Sequence, residues 1–214
     1  MTAIKYNRGS NTRLTAHFKR CEFDCKCGCK TTLHDPALSK KLERLREQIG
    51  AAVTLTSGYR CKTHNAAVGG SSSSYHVKGQ AADIKSKLNP VALAILARQY
   101  FNGVGLYWHS GAAFVHVDTR IIKATWLQDK PGAAYRYTSK SSFILPTIKR
   151  GSSGEINQAA TRMLQRLLGV TVDGVFGFAT DKALRAAQRK AGITVDGICG
   201  PDSWRHISGA AKYL

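Results

Sequence analysis

Acidic residues are scarce in this chain: 13 aspartates and glutamates stand against 32 lysines and arginines, for a net charge of +19 over 214 residues. An imbalance of this size directs a protein toward a polyanion. Nucleic acid and anionic cell-wall polymers meet that requirement equally well. Zinc-finger spacing is missing, however, and so is the aromatic-rich strand signature of single-strand RNA binders, which argues against nucleic acid as the partner. No apolar run approaches the ~18–20 residues a helix needs to cross a bilayer, so membrane insertion by a helix is excluded. Met1-Thr2-Ala3-Ile4-Lys5 lacks the apolar region of a signal peptide, and the expectation is synthesis in a cytoplasm. The C-x2-C knuckle of structural zinc sites is also missing, although there are six cysteines: Cys21, Cys25, Cys27, Cys29, Cys61 and Cys199. Four of them fall within nine residues. The cluster reads as a thiolate metal site, a disulfide framework or reduced thiols. No cysteine has a defined histidine partner in sequence, which argues against a cysteine nucleophile.

Hydrophobic residues make up 43%, ample for a core, and the length suits one large domain or two small ones. Residues 1–34 read as basic, polar and turn-rich, anchored by His17-Phe18 and Cys21-Glu22-Phe23. Asp35 is a good N-cap and Pro36 a good first helical residue. Leu38, Leu42, Leu45 and Ile49 then form one face, and Gly50 ends the helix. Val53-Thr54-Leu55-Thr56 predicts a short strand, and residues 61–75, with Gly69-Gly70 and four serines, a surface loop. Asn89-Pro90 caps a second helix. Val104 to Trp108 and Phe114 to Asp118 predict two strands joined at His109-Ser110-Gly111-Ala112, and residues 125–153 read as irregular.

Beyond this lies a repeat with an offset of 23 residues: Gly169-Val170-Thr171-Val172-Asp173-Gly174 recurs as Gly192-Ile193-Thr194-Val195-Asp196-Gly197. A helix precedes each copy, and Met163, Leu164, Leu167 and Leu168 of the first compare with Ala183, Leu184, Ala187 and Gln188 of the second. Pro201 opens a third short helix. Asp173 and Asp196 read as turn-setting residues, and Phe176 and Trp204 as core.

The chemistry concentrates in the middle. His76 and Asp83 stand seven positions apart, and in a strand His116 and Asp118 share a face. Imidazole and carboxylate are what zinc takes when no thiolate is used, and a catalytic site has three protein ligands with the fourth position left to water. His76, Asp83 and His116 would make that set.

Ser57-Gly58-Tyr59-Arg60, Asn65, Gly69-Gly70, Ser74-x-His76-x2-Gly79-x-Ala81-x-Asp83 and His116-Val117-Asp118 resemble the zinc D-alanyl-D-alanine carboxypeptidase family, peptidoglycan peptidases that include many phage endolysins. The likeness runs from about Phe18 to Arg120. Separately, Leu164-Gln165-x2-Leu167-Leu168-Gly169, the two Asp-Gly turns and Gly200-Pro201-Asp202-Ser203-Trp204 resemble the three-helix peptidoglycan-binding domain. The two resemblances imply an α+β fold: a zinc peptidase domain (1–138) with a small antiparallel sheet flanked by helices, a linker (139–153) and an all-α three-helix bundle (154–214).

They also imply Zn2+ as cofactor and hydrolysis of a peptide bond in the peptidoglycan stem peptide or cross-link. The expected partners are peptidoglycan and anionic wall polymers, met by a monomer that acts on the wall after release. His76, Asp83 and His116 match the zinc ligands, and Arg60 the substrate-facing arginine. One element departs: the family often carries an acidic residue three positions before the last zinc histidine, or a histidine two before it, where this chain has Ala113 and Phe114. Asp118 and His109 are the candidate bases, and support of His116 is the alternative role for Asp118. The departure also leaves open a non-catalytic, zinc-containing wall-binding protein.

Overall fold

The computed structural model describes residues 3–137 and 144–214. β1 (Ile4–Asn7) and β2 (Thr31–His34) pair antiparallel, with Ile4 opposite His34 and Asn7 opposite Thr31. Between them a 3-10 turn at Arg20–Phe23 buries Phe23 beside Phe18, their rings edge-on with centroids 6.3 Å apart. α1 (Pro36–Ile49) begins and ends where its caps dictate: the Asp35 carboxylate accepts from the Ala37 amide, and Gly50 takes the left-handed conformation at φ 61°. β3 (Val53–Ser57) follows. α2 (Lys62–Ala67) then interrupts the segment expected as a loop, with the Cys61 thiol at its N-cap. β4 (Ala81–Ser86) and α3 (Pro90–Ala97) come next, the latter capped by Asn89 through the Ala92 amide.

β5 (Gly103–His109) and β6 (Ala112–Asp118) leave only Ser110 and Gly111 between them. Where an irregular stretch is expected, the chain forms β7 (Ala124–Lys130) and β8 (Ala133–Tyr137), with Thr125 opposite Tyr137 and Leu127 opposite Tyr135. Thr125, Leu127 and Asp129 point inward in strict alternation, a period-2 pattern that two polar members conceal. Among the described residues there follow β9 (Ile148–Lys149), α4 (Glu155–Leu168), α5 (Phe178–Ala191), β10 (Ile198–Cys199), α6 (Pro201–Ser208) and a 3-10 turn at Ala210–Tyr213.

Two compact units are formed, one from residues 1–87, 99–104 and 114–123 and one from residues 88–98, 105–113 and 124–214. The expected linker begins among residues 138–143, which lie outside the described residues. Within its described part, β9 pairs antiparallel with β10.

In the first unit β4 lies between β3 and β6, antiparallel to both. The β4–β6 register sorts the side chains by face. Ala82 opposite Val117 and Ile84 opposite Val115 are fully buried apolar pairs. On the other face Asp83 opposes His116 and Ala81 opposes Asp118. The sheet thus presents apolar side chains on one side and chemistry on the other. Leu38, Leu42, Leu45 and Ile49 of α1 are all buried, each contributing about 1.5–3 kcal/mol relative to exposure.

His34 is a buried imidazole whose Nε2 lies 3.0 Å from Ser39 Oγ and whose Nδ1 has no hydrogen-bond partner among the described residues. Burial, helped by the Arg20 charge and opposed by Asp35, pushes its pKa down to about 4. The folded state therefore holds His34 neutral while the unfolded chain protonates it near 6.5. Stability from this residue is full above about pH 6.5 and is lost as pH falls toward 4. We expect about 2 kcal/mol less stability at pH 5 than at pH 7 from this group. Urea unfolding at both pH values checks this. A His34→Gln variant with an unchanged acid penalty would show the assignment wrong.

In the second unit the repeat has a hydrogen-bonded hub in each copy. Gln165 donates from Nε2 to Asp173 Oδ1 (2.7 Å), the Val175 carbonyl (3.1 Å) and Thr180 Oγ1 (3.1 Å). Gln188 does the same to Asp196 Oδ1 (2.8 Å), the Ile198 carbonyl (3.1 Å) and Ser203 Oγ (3.0 Å). Each aspartate also accepts an amide two residues on, Val175 or Ile198, at 2.8 Å. Asp173 and Asp196 are therefore turn setters. The hubs place Gln188 on Gln165, so the helices align at the 23-residue offset; matching Leu168 with Gln188 shifts them by one turn. Trp204 is fully buried, and its Nε1 donates to the Pro146 carbonyl at 2.9 Å.

Candidate metal centre and its surroundings

The β4–β6 register sets Asp83 against His116, and a turn delivers His76 to the same face. That turn is fixed by backbone. The His76 carbonyl accepts from the Arg60 amide at 3.2 Å and from the Gly79 amide at 3.1 Å, and the Asp35 amide donates to the Gly79 carbonyl at 2.8 Å. Gly79 has φ 68°, and a Cβ there would fall 2.4 Å from the Leu33 carbonyl oxygen, so only glycine fits. His76, Asp83 and His116 are all buried. His76 Nε2 lies 3.1 Å from His116 Nδ1 and 3.2 Å from Asp83 Oδ1, and His116 Nδ1 lies 3.0 Å from the same oxygen.

The outward-facing ring atoms decide what these three atoms are. His76 Nδ1 lies 2.7 Å from the Gly58 carbonyl, which can only accept, so Nδ1 carries the proton and Nε2 a lone pair. His116 Nε2 lies 3.1 Å from Asp118 Oδ2, which places the proton of the neutral ring on Nε2 and a lone pair on Nδ1. Two nitrogen lone pairs and a carboxylate oxygen thus face one another at 3.0–3.2 Å. A cation among them resolves the repulsion. Ligands about 2.0–2.1 Å from a tetrahedral zinc are about 3.3 Å apart, close to these separations. The residues fit a divalent metal of the zinc type.

The electrostatics agree. Burial alone would raise the Asp83 carboxyl, but the His116 and His76 imidazoles beside it outweigh burial and hold the group ionised far below the usual carboxylate range. Burial pushes His76 down despite Asp83 beside it, so its ring is neutral. For His116 the bonds to Asp118 and Asp83 outweigh burial and raise the pKa, making a proton on its ring the weaker substitute for a cation.

Asp118, fully buried, sits on the ring edge of His116 that faces away from His76 and Asp83. Burial would raise its carboxyl, yet His116 and Arg120 bring it down to about 2. Arg120 grips it from Nε at 2.7 Å and Nη2 at 2.5 Å, and the Arg120 amide adds a bond at 3.1 Å. Arg120 in turn lies over the Tyr75 ring, 4.7 Å from its centroid. Gly103 closes the pocket from behind, since a Cβ there would come 2.1–2.3 Å from the Asp118 carboxylate. We therefore expect Gly103→Ala to push Asp118 off His116 and weaken metal binding by about 10–100-fold, the usual effect of losing such support. Competition against a chromogenic chelator measures this, and wild-type affinity in the variant would contradict it.

Arg60 stands on the opposite side of the centre. Its Nε donates to Ser57 Oγ at 2.8 Å and its Nη2 to Asp83 Oδ2, the oxygen not turned toward the histidines. Nη1 carries no bond within the chain among the described residues. Four of the six expected site residues (His76, Asp83, His116 and Arg60) therefore share one pocket, with Asp118 directly behind it. Among the described residues His109 shares no hydrogen bond with them. It ends β5 in the second unit, partly exposed, with Nδ1 2.8 Å from the Ser110 carbonyl. Arg120, Gly103 and the Gly58 carbonyl are further contributors. Arg120, two residues after Asp118 and itself a strong carboxylate partner, is the one that sequence spacing could have suggested.

Comparison with protein families places this geometry. Residues 16–118 match the family Peptidase M15, a span that contains Arg60, His76, Asp83, His116 and Asp118. Residues 153–207 match the family described as "Putative peptidoglycan binding domain", a span that contains both glutamine hubs and Trp204. No curated protein matches the chain. The chain carries an M15 metallopeptidase domain followed by a peptidoglycan-binding domain.

Proposed function

We propose that the protein is a zinc-dependent peptidase that hydrolyses a peptide bond in the stem peptide or cross-link of peptidoglycan, in the manner of an endolysin. The observation that carries this reading is the convergence of His76 Nε2, His116 Nδ1 and Asp83 Oδ1 with their outward ring atoms already satisfied. His76, Asp83 and His116 would hold the metal; when bound it supplies Lewis acidity to the scissile carbonyl and a lowered pKa to the attacking water.

The other residues prepare that site. Gly58 and Asp118 fix the tautomers of the two imidazoles. Arg60 holds Asp83 to a single ligating oxygen through Nη2 and keeps Nη1 for a substrate carboxylate or the oxyanion that develops on attack. Asp118, matched by Arg120 and turned away from the other ligands, acts by positioning His116, and we assign it that role in place of general base. The C-terminal domain holds the enzyme on an insoluble polymer and raises its local concentration there. The excess of basic residues would add affinity for anionic wall polymers.

Clearing of purified cell walls tests the proposal. Loss of turbidity that stops with chelator and returns with zinc is the expected result. Mass spectrometry of defined muropeptides then identifies the bond. Retention on walls with no clearing under any metal would instead establish a non-catalytic wall-binding protein, the reading that Ala113 and Phe114 keep open.

A further inference from the structure

A second constellation lies outside the peptidase centre. Cys25, Cys27 and Cys29 occupy the loop between the Arg20–Phe23 turn and β2, and Cys61 caps α2. Their four sulfurs all lie within 4.8 Å of one another, with Cys25 Sγ 3.3 Å from Cys27 Sγ and Cys27 Sγ 3.5 Å from Cys61 Sγ. Disulfides would draw four thiols together in two pairs. Here each sulfur is close to all three others, as four ligands sharing one ion would be. Sulfurs about 2.3 Å from a tetrahedral zinc are about 3.8 Å apart, within the range found here.

The backbone is arranged to receive thiolates. The Cys61 amide donates to Cys25 Sγ at 3.3 Å, and the His64 amide to Cys61 Sγ at 3.4 Å. The two segments are also closely packed. The Tyr59 amide donates to the Phe23 carbonyl at 2.8 Å, and a Cβ on Gly58 would fall 2.6 Å from the Phe23 Cα. Lys26, Lys30 and Lys62 flank the cysteines in sequence and offset the negative charge four thiolates would bring.

We propose that Cys25, Cys27, Cys29 and Cys61 form a structural metal site, suited to zinc, that clamps the Cys25–Cys29 loop to the start of α2. The site takes a soft-to-borderline divalent ion through four thiolates and leaves no position open for water, so its role is to hold structure. The clamp closes one residue from Arg60 and so fixes the backbone from which the substrate-facing guanidinium projects. Cys21 and Cys199 take no part. Cys21 donates to Asn11 Oδ1 at 3.4 Å, and Cys199 is buried in the other unit.

Elemental analysis and cobalt substitution of the full chain test this independently of catalysis. The expected wild-type protein holds about two zinc ions, and its cobalt form shows sulfur-to-cobalt charge-transfer absorption. Replacing both Cys27 and Cys61 by serine should leave about one metal and no such absorption. His76→Ala should also leave about one metal but keep the absorption, which separates the failure of either site from that of the other. If the serine variant fails to fold, the wild-type stoichiometry and cobalt spectrum still decide. A single metal with no sulfur-to-cobalt absorption in the wild type overturns the proposal, as does a mass deficit showing two disulfides among these cysteines.

Discussion

Asp83→Ala is expected to strip the peptidase centre of its metal and reduce hydrolysis of wall peptides at least about a thousandfold. The size follows from what the side chain does twice over. Oδ1 is the one charged donor in the trio, and Oδ2 is the anchor of Arg60. Its removal leaves two neutral imidazoles, too weak a set for a catalytic ion, and frees the guanidinium from its position. A loss of several kcal/mol of transition-state stabilisation corresponds to a thousandfold or more. Retention on walls, through residues 153–207, should survive. Wall clearing, metal content and wall pull-down on one preparation measure all three. Full activity would mean that Asp83 is not a ligand, and loss of wall retention as well would point to general unfolding.

The second large effect is expected at Trp204. Truncation to alanine removes a fully buried indole and its bond to the Pro146 carbonyl, at a cost of about 3–5 kcal/mol. A three-helix repeat of this size has few other large side chains to fill the void. The Trp204→Ala protein should lose retention on walls, with turnover of insoluble walls falling in parallel. Hydrolysis of a short soluble muropeptide should persist, because His76, Asp83, His116 and Arg60 all belong to the other unit. Equal loss on soluble and insoluble substrate would refute the division of labour between the two domains.

Much of this was legible in the sequence because local chemistry dictated it. Asp35-Pro36 and Gly50 frame α1 as any such caps would. The i, i+2 spacing of His116 and Asp118 put both on one strand face, and the Asp-Gly repeat announced its own offset. What escaped depended on partners distant in the chain. Which edge of the His116 ring meets Asp118 is set by the β4–β6 register, so spacing alone could not tell a base from a positioning residue. Arg120 counts only once it closes on Asp118. β7 went unread because its inward residues include Thr125 and Asp129, the latter buried against Arg162. α2 went unread because its six residues, Lys62–Ala67, carry no apolar face and its cap is a cysteine. The helix pairing in the repeat was misaligned by hydrophobic matching, where glutamine was the true landmark.

The two arginines at the peptidase centre imply an electrical selectivity. Asp83 is matched by Arg60 and Asp118 by Arg120, and as metal ligands the histidines would serve as neutral rings. These four charged side chains sum to zero, so they would leave the two positive charges of a divalent ion unbalanced at the centre. The offset must come from whatever enters. A peptide ending in a carboxylate brings a full negative charge, and a peptide bond under attack develops one, whereas an uncharged amide at rest brings none. Such a pocket should hold amidated ends weakly and carboxylate ends firmly, a preference set by ion pairs within the protein and not by pocket shape.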